Sequence, residues 1–299
     1  MPDANPAVPP SGRETDVLYT SDLHGNRALY QEAFALAMKL EVRALVFGGD
    51  LAPHASVKEQ RVFFQEFLLP LFREYRSEPR SADIFYVMGN DDWRANLSLL
   101  TESGIERFHH IHCVVRPFLG ASWVAGLGSV TVTPFALKDW ERWEDGIKPS
   151  VRYDGFRSSP DGSVHPFDFR GREWEERLGM DFEAIERELA PERAPLICVF
   201  HGPPYETGLD QLPGGAHVGS RETRRFLEAH QPLLALHGHI HESPAVSGRF
   251  ADRLGATICV NPGQRLGSAL HAVWFRLADV AGSLTHSLLG PAALESTRS

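Results

Sequence analysis

The chain has 299 residues, 42% of them hydrophobic and 23% charged, with a formal net charge of −9. This is ordinary composition for a folded water-soluble protein with a substantial core, and the negative charge argues against a broad grip on a nucleic-acid backbone. No apolar run approaches the roughly 18 to 20 residues that cross a bilayer, so a cytoplasmic protein without a membrane partner is expected.

Residues 1–15, "MPDANPAVPPSGRET", carry four prolines, no apolar core and no basic start, which reads as a flexible lead-in rather than a signal segment. The first strand-like run is "DVLYTSDLHG" (16–25). Asn26 then offers a helix cap, and Leu29, Ala33, Leu36, Ala37 and Leu40 keep one helical face. "RALVFGGD" (43–50) is the next strand. Phe64, Phe67, Leu68, Leu71 and Phe72 mark a second helix, which Pro70 should kink or split. "DIFYVMGNDD" (83–92) completes a β-α-β-α-β half.

"HHIH" (109–112) precedes an expected strand at 113–115 and reads as surface or core histidines. Glycine-split pieces from 114 to 132 suggest antiparallel sheet. From 133 to 172 periodicity is lost, yet Trp140, Trp143, Tyr153, Phe156, Phe167 and Phe169 make the stretch too aromatic for a solvated linker. The 133–180 segment reads equally well as a lid over a site or as an insertion packed on the outside. A helix over 181–190 with Phe182, Ile185 and Leu189 on one side leads to the strand in "LICVFHGPP" (196–204). Ser220 caps a helix through His230, and "LLALHGHIH" (233–241) and "TICVNPG" (257–263) follow. Residues 291–299 read as a flexible tail. Cys113, Cys198 and Cys259 each sit in an apolar run with no zinc or disulfide spacing, which implies buried thiols.

The six quoted runs share one feature: apolar residues buried on both faces, ending in glycine and a polar residue. Asp22, His24, Asp50, Asn90, His201, His239 and His241 therefore all fall at carboxyl ends of strands, where open α/β sheets bind ligands. Each alone has a bland explanation as a cap, an Asx turn or a loop histidine. Seven metal-capable side chains on one edge do not. Alternate residues of an extended segment share a face, so Asp22 with His24, and His239 with His241, are expected on extended turns, with His237 left structural. Glycines before Asp50, Asn90 and His239 are expected to let the backbone turn sharply.

The order Asp-x-His, Gly-Gly-Asp, Gly-Asn-Asp, His, Gly-His-x-His resembles the calcineurin-like metallophosphoesterase superfamily, over about 16–262. The resemblance implies a four-layer α/β/β/α sandwich of two mixed β-sheets flanked by helices, as a single domain over 16–290. It also implies two divalent metal ions, Mn²⁺, Fe²⁺, Co²⁺ or Zn²⁺ by the oxygen and imidazole donor set. One ion would take Asp22, His24, His241 and Asp50; the other would take Asp50, Asn90, His201 and His239. The implied activity is hydrolysis of a small phosphate-ester substrate by in-line attack of a metal-bridging hydroxide. Two divalent ions against the carboxylates of Asp22 and Asp50 leave a positive site that suits phosphate, with a lean toward diesters.

One position departs from the pattern. Relatives commonly read Gly-Asn-His, and the histidine is assigned to protonate the leaving oxygen; here Asp91 stands in its place. An ordinary carboxylate beside cations is a poor acid at neutral pH. Either the substrates need little leaving-group protonation, or His54, His217 or Tyr205 supplies the proton. Arg27 and Arg94 flank the motif loops as candidates for holding phosphate. The alternative reading is a member of the fold that has become a binding scaffold.

Overall fold

The computed structural model describes residues 16–146, 151–190, 195–265 and 269–294. The expected lead-in at 1–15 and the last five residues of the expected tail lie outside them. Pro291 is still paired in a sheet, and the Ala292 N–H donates to Leu284 O.

Seven strands form the first sheet, in spatial order Gly290–Pro291, Thr285–His286, Val273–Phe275, Val17–Thr20, Ala44–Phe47, Asp83–Tyr86 and Phe108–His110. The last four are parallel neighbours, and the remaining pairings are antiparallel. Six strands form the second sheet, in the order Ala251–Leu254, Thr257–Val260, Leu234–Leu236, Leu196–Phe200, Trp123–Leu127 and Val115–Pro117. Its inner four are parallel and its two edges antiparallel.

Strand alternation decides what each sheet face meets. Leu18, Leu45, Phe47 and Ile84 pack with Leu29, Ala33 and Phe72 of the first-half helices. Their neighbours Val17, Tyr19, Val46 and Phe85 face Ile197, Val199, Leu236 and Val260 of the second sheet. On the far side, Cys198, Phe200 and Cys259 pack with Phe182 and Ile185 of the helix Leu178–Glu188 and Phe226 and Leu227 of the helix Arg221–His230. The layers are helix, sheet, sheet, helix. Among the described residues, no helix is long and apolar enough to cross a membrane.

Two expected caps are present. The Asn26 side chain accepts from the N–H groups of Ala28 and Leu29 at the start of Arg27–Leu40, and Ser220 accepts from Thr223. Pro70 does not split its helix. Residues 57–77 stay helical through a π-turn at Phe64–Leu68, where the Leu69 N–H reaches back to Phe64 O. That wider turn suits a proline, which lacks an N–H and crowds the carbonyl four residues earlier.

The strand expected at 113–115 lies instead at Val115–Pro117, and Phe108–His110 is an edge strand of the first sheet. Cys198 and Cys259 are buried in strands, but Cys113 is only half-buried, in a turn with φ 53°. The 133–180 segment contains the hairpin Asp154–Ser158 with Val164–Asp168. It is anchored by Asp139, whose carboxylate accepts from the N–H groups of Arg94 and Ser158, and by the fully buried Lys138–Glu141 ion pair at 2.6 Å. Bonds of that kind leave no periodic trace in a sequence.

Candidate metal centre

The strands Val17–Thr20, Ala44–Phe47, Asp83–Tyr86, Leu196–Phe200 and Leu234–Leu236 end at one edge of the double sheet, and the loops that follow them converge there. Asp22, His24, Asp50 and His241 bring ligand atoms within 4.8 Å of one another, and so do Asp50, His201 and His239. The two groups share Asp50. Its Oδ2 lies 3.3 Å from His201 Nε2 on one side and 3.8 Å from His24 Nε2 on the other. Asn90 joins the second group through Oδ1, 3.2 Å from His201 Nε2. In the first, His241 Nε2 is 3.1 Å from both Asp22 Oδ1 and His24 Nε2. All seven expected donors are thus brought together.

The turns that carry them are not extended. Asp22, His24, Asp50 and His239 have φ of 60°, 42°, 50° and 65°, in the left-handed region that side-chain-bearing residues seldom occupy. Cross-bracing holds them there: Asp22 N–H donates to Gly49 O at 3.0 Å, His24 N–H to Asp50 O at 2.9 Å, and His239 N–H to the Asp22 carboxylate at 2.9 Å. Gly49, with φ 112°, makes the expected sharp turn before Asp50, whereas the glycines before Asn90 and His239 act differently. A Cβ on Gly238 would collide with Ser21 Oγ and the Asp22 carboxylate, and one on Gly89 with the backbone and carboxylate of Asp50. Both permit close approach between loops.

Neighbouring ligands around one cation, with bonds of about 2.0–2.2 Å, stand roughly 3.0–3.5 Å apart, which the donor separations approach. Electrostatics agrees. Burial alone would lower His201 and His241, but Asp50 beside the first and Asp22 beside the second more than reverse it and raise both to about 9. Against the same cost of burial, the imidazoles hold Asp22 at about 2 and Asp50 well below the usual carboxylate range. Burial instead lowers His24 to about 4 and His239 to about 3, keeping them neutral as ligands must be; two buried carboxylates with neutral imidazoles beside them fit divalent cations.

A further layer of bonds orients the donors. His201 Nδ1 lies 2.8 Å from Gly48 O, which leaves Nε2 facing the site. His237 is fully buried with Nδ1 2.8 Å from Phe200 O, a structural role as expected. Asn261 Nδ2 donates to Gly238 O at 3.2 Å and Ile240 O at 3.1 Å. Asp92 has a role that sequence reasoning missed. Buried, it accepts from the N–H groups of Leu51, Ala52 and Gly89 at 3.0, 2.8 and 2.9 Å, tying the Asp50 loop to the Asn90 loop. The adjacent acidic pair Asp91-Asp92 is its one visible signal.

Asp91 is not an isolated carboxylate. Burial, then Asp50 and Asp92, pushes it up to about 8. His54 Nδ1 lies 3.1 Å from its Oδ2, and the His54 ring stacks on His24 with centroids 4.3 Å apart. His217 and Tyr205 line a neighbouring cleft. Arg27 lies over Phe67 and Arg94 over Trp140, both guanidiniums outside the donor groups. At 109–112, His112 Nδ1 accepts from Gly128 N–H at 3.1 Å, and its Nε2 lies 3.3 Å from Cys113 Sγ, away from the seven residues above.

The calcineurin-like phosphoesterase family profile matches residues 15–243. The chain belongs to this family. No curated protein matches it by sequence. The protein TT1561 of Thermus thermophilus superposes with a TM-score of 0.61 at 18% identity, over 92% of this chain and 99% of that one, which shows a shared fold. Sulfate thiohydrolase SoxB of Thermus thermophilus gives 0.47 at 15% identity, over 89% of this chain and 54% of that one. GAP50 of the Plasmodium inner membrane complex gives 0.46 at 11% identity, over 92% and 84%. Membership of this family and the clustered donors support a metal-dependent phosphoesterase.

Proposed function

We propose that the chain is a dinuclear phosphoesterase in which Asp22, His24, His241 and Asp50 hold one divalent cation and Asp50, Asn90, His201 and His239 hold the other. The observation that carries this reading is the position of Asp50 Oδ2 between His24 and His201. Two cations bound there supply a Lewis-acid clamp for a phosphoryl group and a lowered pKa for attacking water. Asp50 and Asn90 set the spacing of the two groups, and Asp92 fixes the loops from which they project. Asp91, backed by His54, is the pair we assign to steadying the leaving oxygen where relatives carry a histidine. Phosphodiesters are the favoured substrates, because a monoanion matches a modestly positive site.

The test is metal content and hydrolysis of a nitrophenyl phosphodiester by purified protein after loading with manganese. Wild type should hold about two ions per chain and turn over, and Asp50→Asn should lose both ions together with at least 100-fold of the rate. Loss of one ion only, or retained hydrolysis, sinks the shared-carboxylate arrangement. His54→Ala should slow esters with alkyl leaving groups more than nitrophenyl esters; equal slowing removes the pair from that role.

A further inference from the structure

A cleft of about 250 Å³ opens directly beside the proposed centre, with His239 in its wall. It is lined by residues of 131–135, by Glu144, Asp145, Gly146 and Val151, and by residues of 205–221 and 239–242. Apolar and aromatic side chains dominate: Val132, Phe135, Leu212, Val218, Ile240 and the ring of Tyr205. Phe135 is 54% exposed, a large apolar ring at the edge of a concave site rather than in the core. The Arg221 guanidinium lies over the Tyr205 ring at 4.6 Å and donates to Gly146 O at 3.1 Å, which fixes both groups. His217, on the same wall, is tied to Asp210 at 2.6 Å.

Three physical properties narrow what fits. Because His239 belongs both to the centre and to this wall, an ester whose phosphorus lies at the centre has the cleft open to a substituent. A volume of about 250 Å³ is below the roughly 300–1,000 Å³ of pockets that enclose a whole drug-sized ligand, so it takes one ring system rather than a long chain. The carboxylates of Asp145 and Glu242 stand against the single guanidinium of Arg221, while that of Glu144 is buried and already accepts from Ser220 and the Glu222 N–H, a charge balance that disfavours a second phosphate.

We propose that the cleft receives an uncharged aromatic ring system carried by an ester with a single phosphorus, a nucleoside monophosphate ester being the class that also offers ring N–H donors to the acidic groups. The assignment rests on the phosphoesterase reading only for the placing of the phosphorus. Phe135 and Tyr205 supply ring contacts, which are tolerant of the ring's identity, and the acidic groups supply acceptors for its N–H donors.

Isothermal titration of the full-length, manganese-loaded protein with adenosine, which has no phosphorus, tests the cleft independently of hydrolysis. Adenosine should bind wild type and Tyr205→Phe alike, and at least tenfold more weakly to Phe135→Ala and Tyr205→Ala. Phe135→Ala keeps the experiment informative should Tyr205→Ala misfold, since the Phe135 side chain is largely outside the core. Absence of adenosine binding, unchanged affinity in Phe135→Ala, or octyl phosphate binding that exceeds that of adenosine 5′-monophosphate overturns the proposal. Tighter binding of adenosine 3′,5′-bisphosphate than of adenosine 5′-monophosphate overturns its single-phosphorus part. Adenosine binding without hydrolysis of any ester leaves the cleft assignment standing and removes the phosphoesterase reading; hydrolysis without adenosine binding does the reverse.

Discussion

Asp22, His24, Asp50 and His239 each hold left-handed backbone at a cost of about 1–3 kcal/mol, and all four are expected metal ligands. Strain of this kind persists only where surrounding bonds over-determine it, and here it aims side chains that an extended turn would scatter to other directions. A different residue carries a measurable pH effect away from the centre. His286 is fully buried; its Nε2 lies 3.0 Å from Pro262 O, and its Nδ1 accepts from the N–H groups of Leu288 and Leu289 at 3.0 and 3.2 Å. Both ring nitrogens are thereby matched to the neutral imidazole. Burial, with His271 adding repulsion, lowers its pKa to about 4. Between the ordinary histidine value of about 6.5 and this one, the unfolded chain binds the extra proton and the folded chain does not, so stability falls as pH falls through that window. The loss should reach up to about 3 kcal/mol. Thermal melts of wild type and His286→Gln from pH 7 to 4.5 read it: the variant, less stable at pH 7, should show a shallower decline. Parallel slopes would show that His286 does not titrate in this way.

At the scale of elements, the centre depends on how closely the loop after Leu234–Leu236 approaches the loop after Val17–Thr20. Gly238 lies at that approach, where any Cβ meets Ser21 and the Asp22 carboxylate. Gly238→Ala should therefore push two strand ends apart, lowering metal affinity by at least tenfold while the core packing of Phe182, Phe200 and Phe226 stays intact. Metal titration and circular dichroism together check this, and unaltered metal affinity contradicts it. The helical pieces show the opposite sensitivity to sequence. Arg27–Leu40 could be placed from Asn26 and its apolar face, whereas the π-turn before Pro70 could not, because only the packed helix decides how a proline ring is accommodated. The 133–180 segment was opaque for a related reason: Asp139 and Glu141 act through bonds to backbone and side chains that no period encodes.

Across the whole molecule, the first sheet's loops contribute Asp22, His24, Asp50 and Asn90, and the second sheet's loops contribute His201, His239 and His241. The proposed cations therefore join the two sheets that otherwise meet through Val17, Tyr19, Val46, Ile197, Val199 and their neighbours. A ligand present at 100 times its dissociation constant stabilises the folded state by about 2.7 kcal/mol, and such a gain shifts a melting midpoint by roughly 5–10 °C in a domain of this order of size. Chelation with EDTA should lower the midpoint of wild type by that amount and leave Asp50→Asn nearly unmoved. Equal shifts in both proteins would mean that the stabilising metal binds elsewhere.

The residue order by itself determined strands buried on both faces and the seven polar residues that end them, because such burial demands continuous apolar runs; the four-layer class and the donor roles came from the motifs' resemblance to a family. Neither determined the left-handed turns, the Asp92 brace, the pairing of His54 with Asp91 or the cleft beside His239. Those depend on contacts between residues tens to hundreds of positions apart, such as His239 with Asp22. Only the stacking of two sheets brings such residues within bonding distance, and tertiary structure alone decides which of their atoms meet.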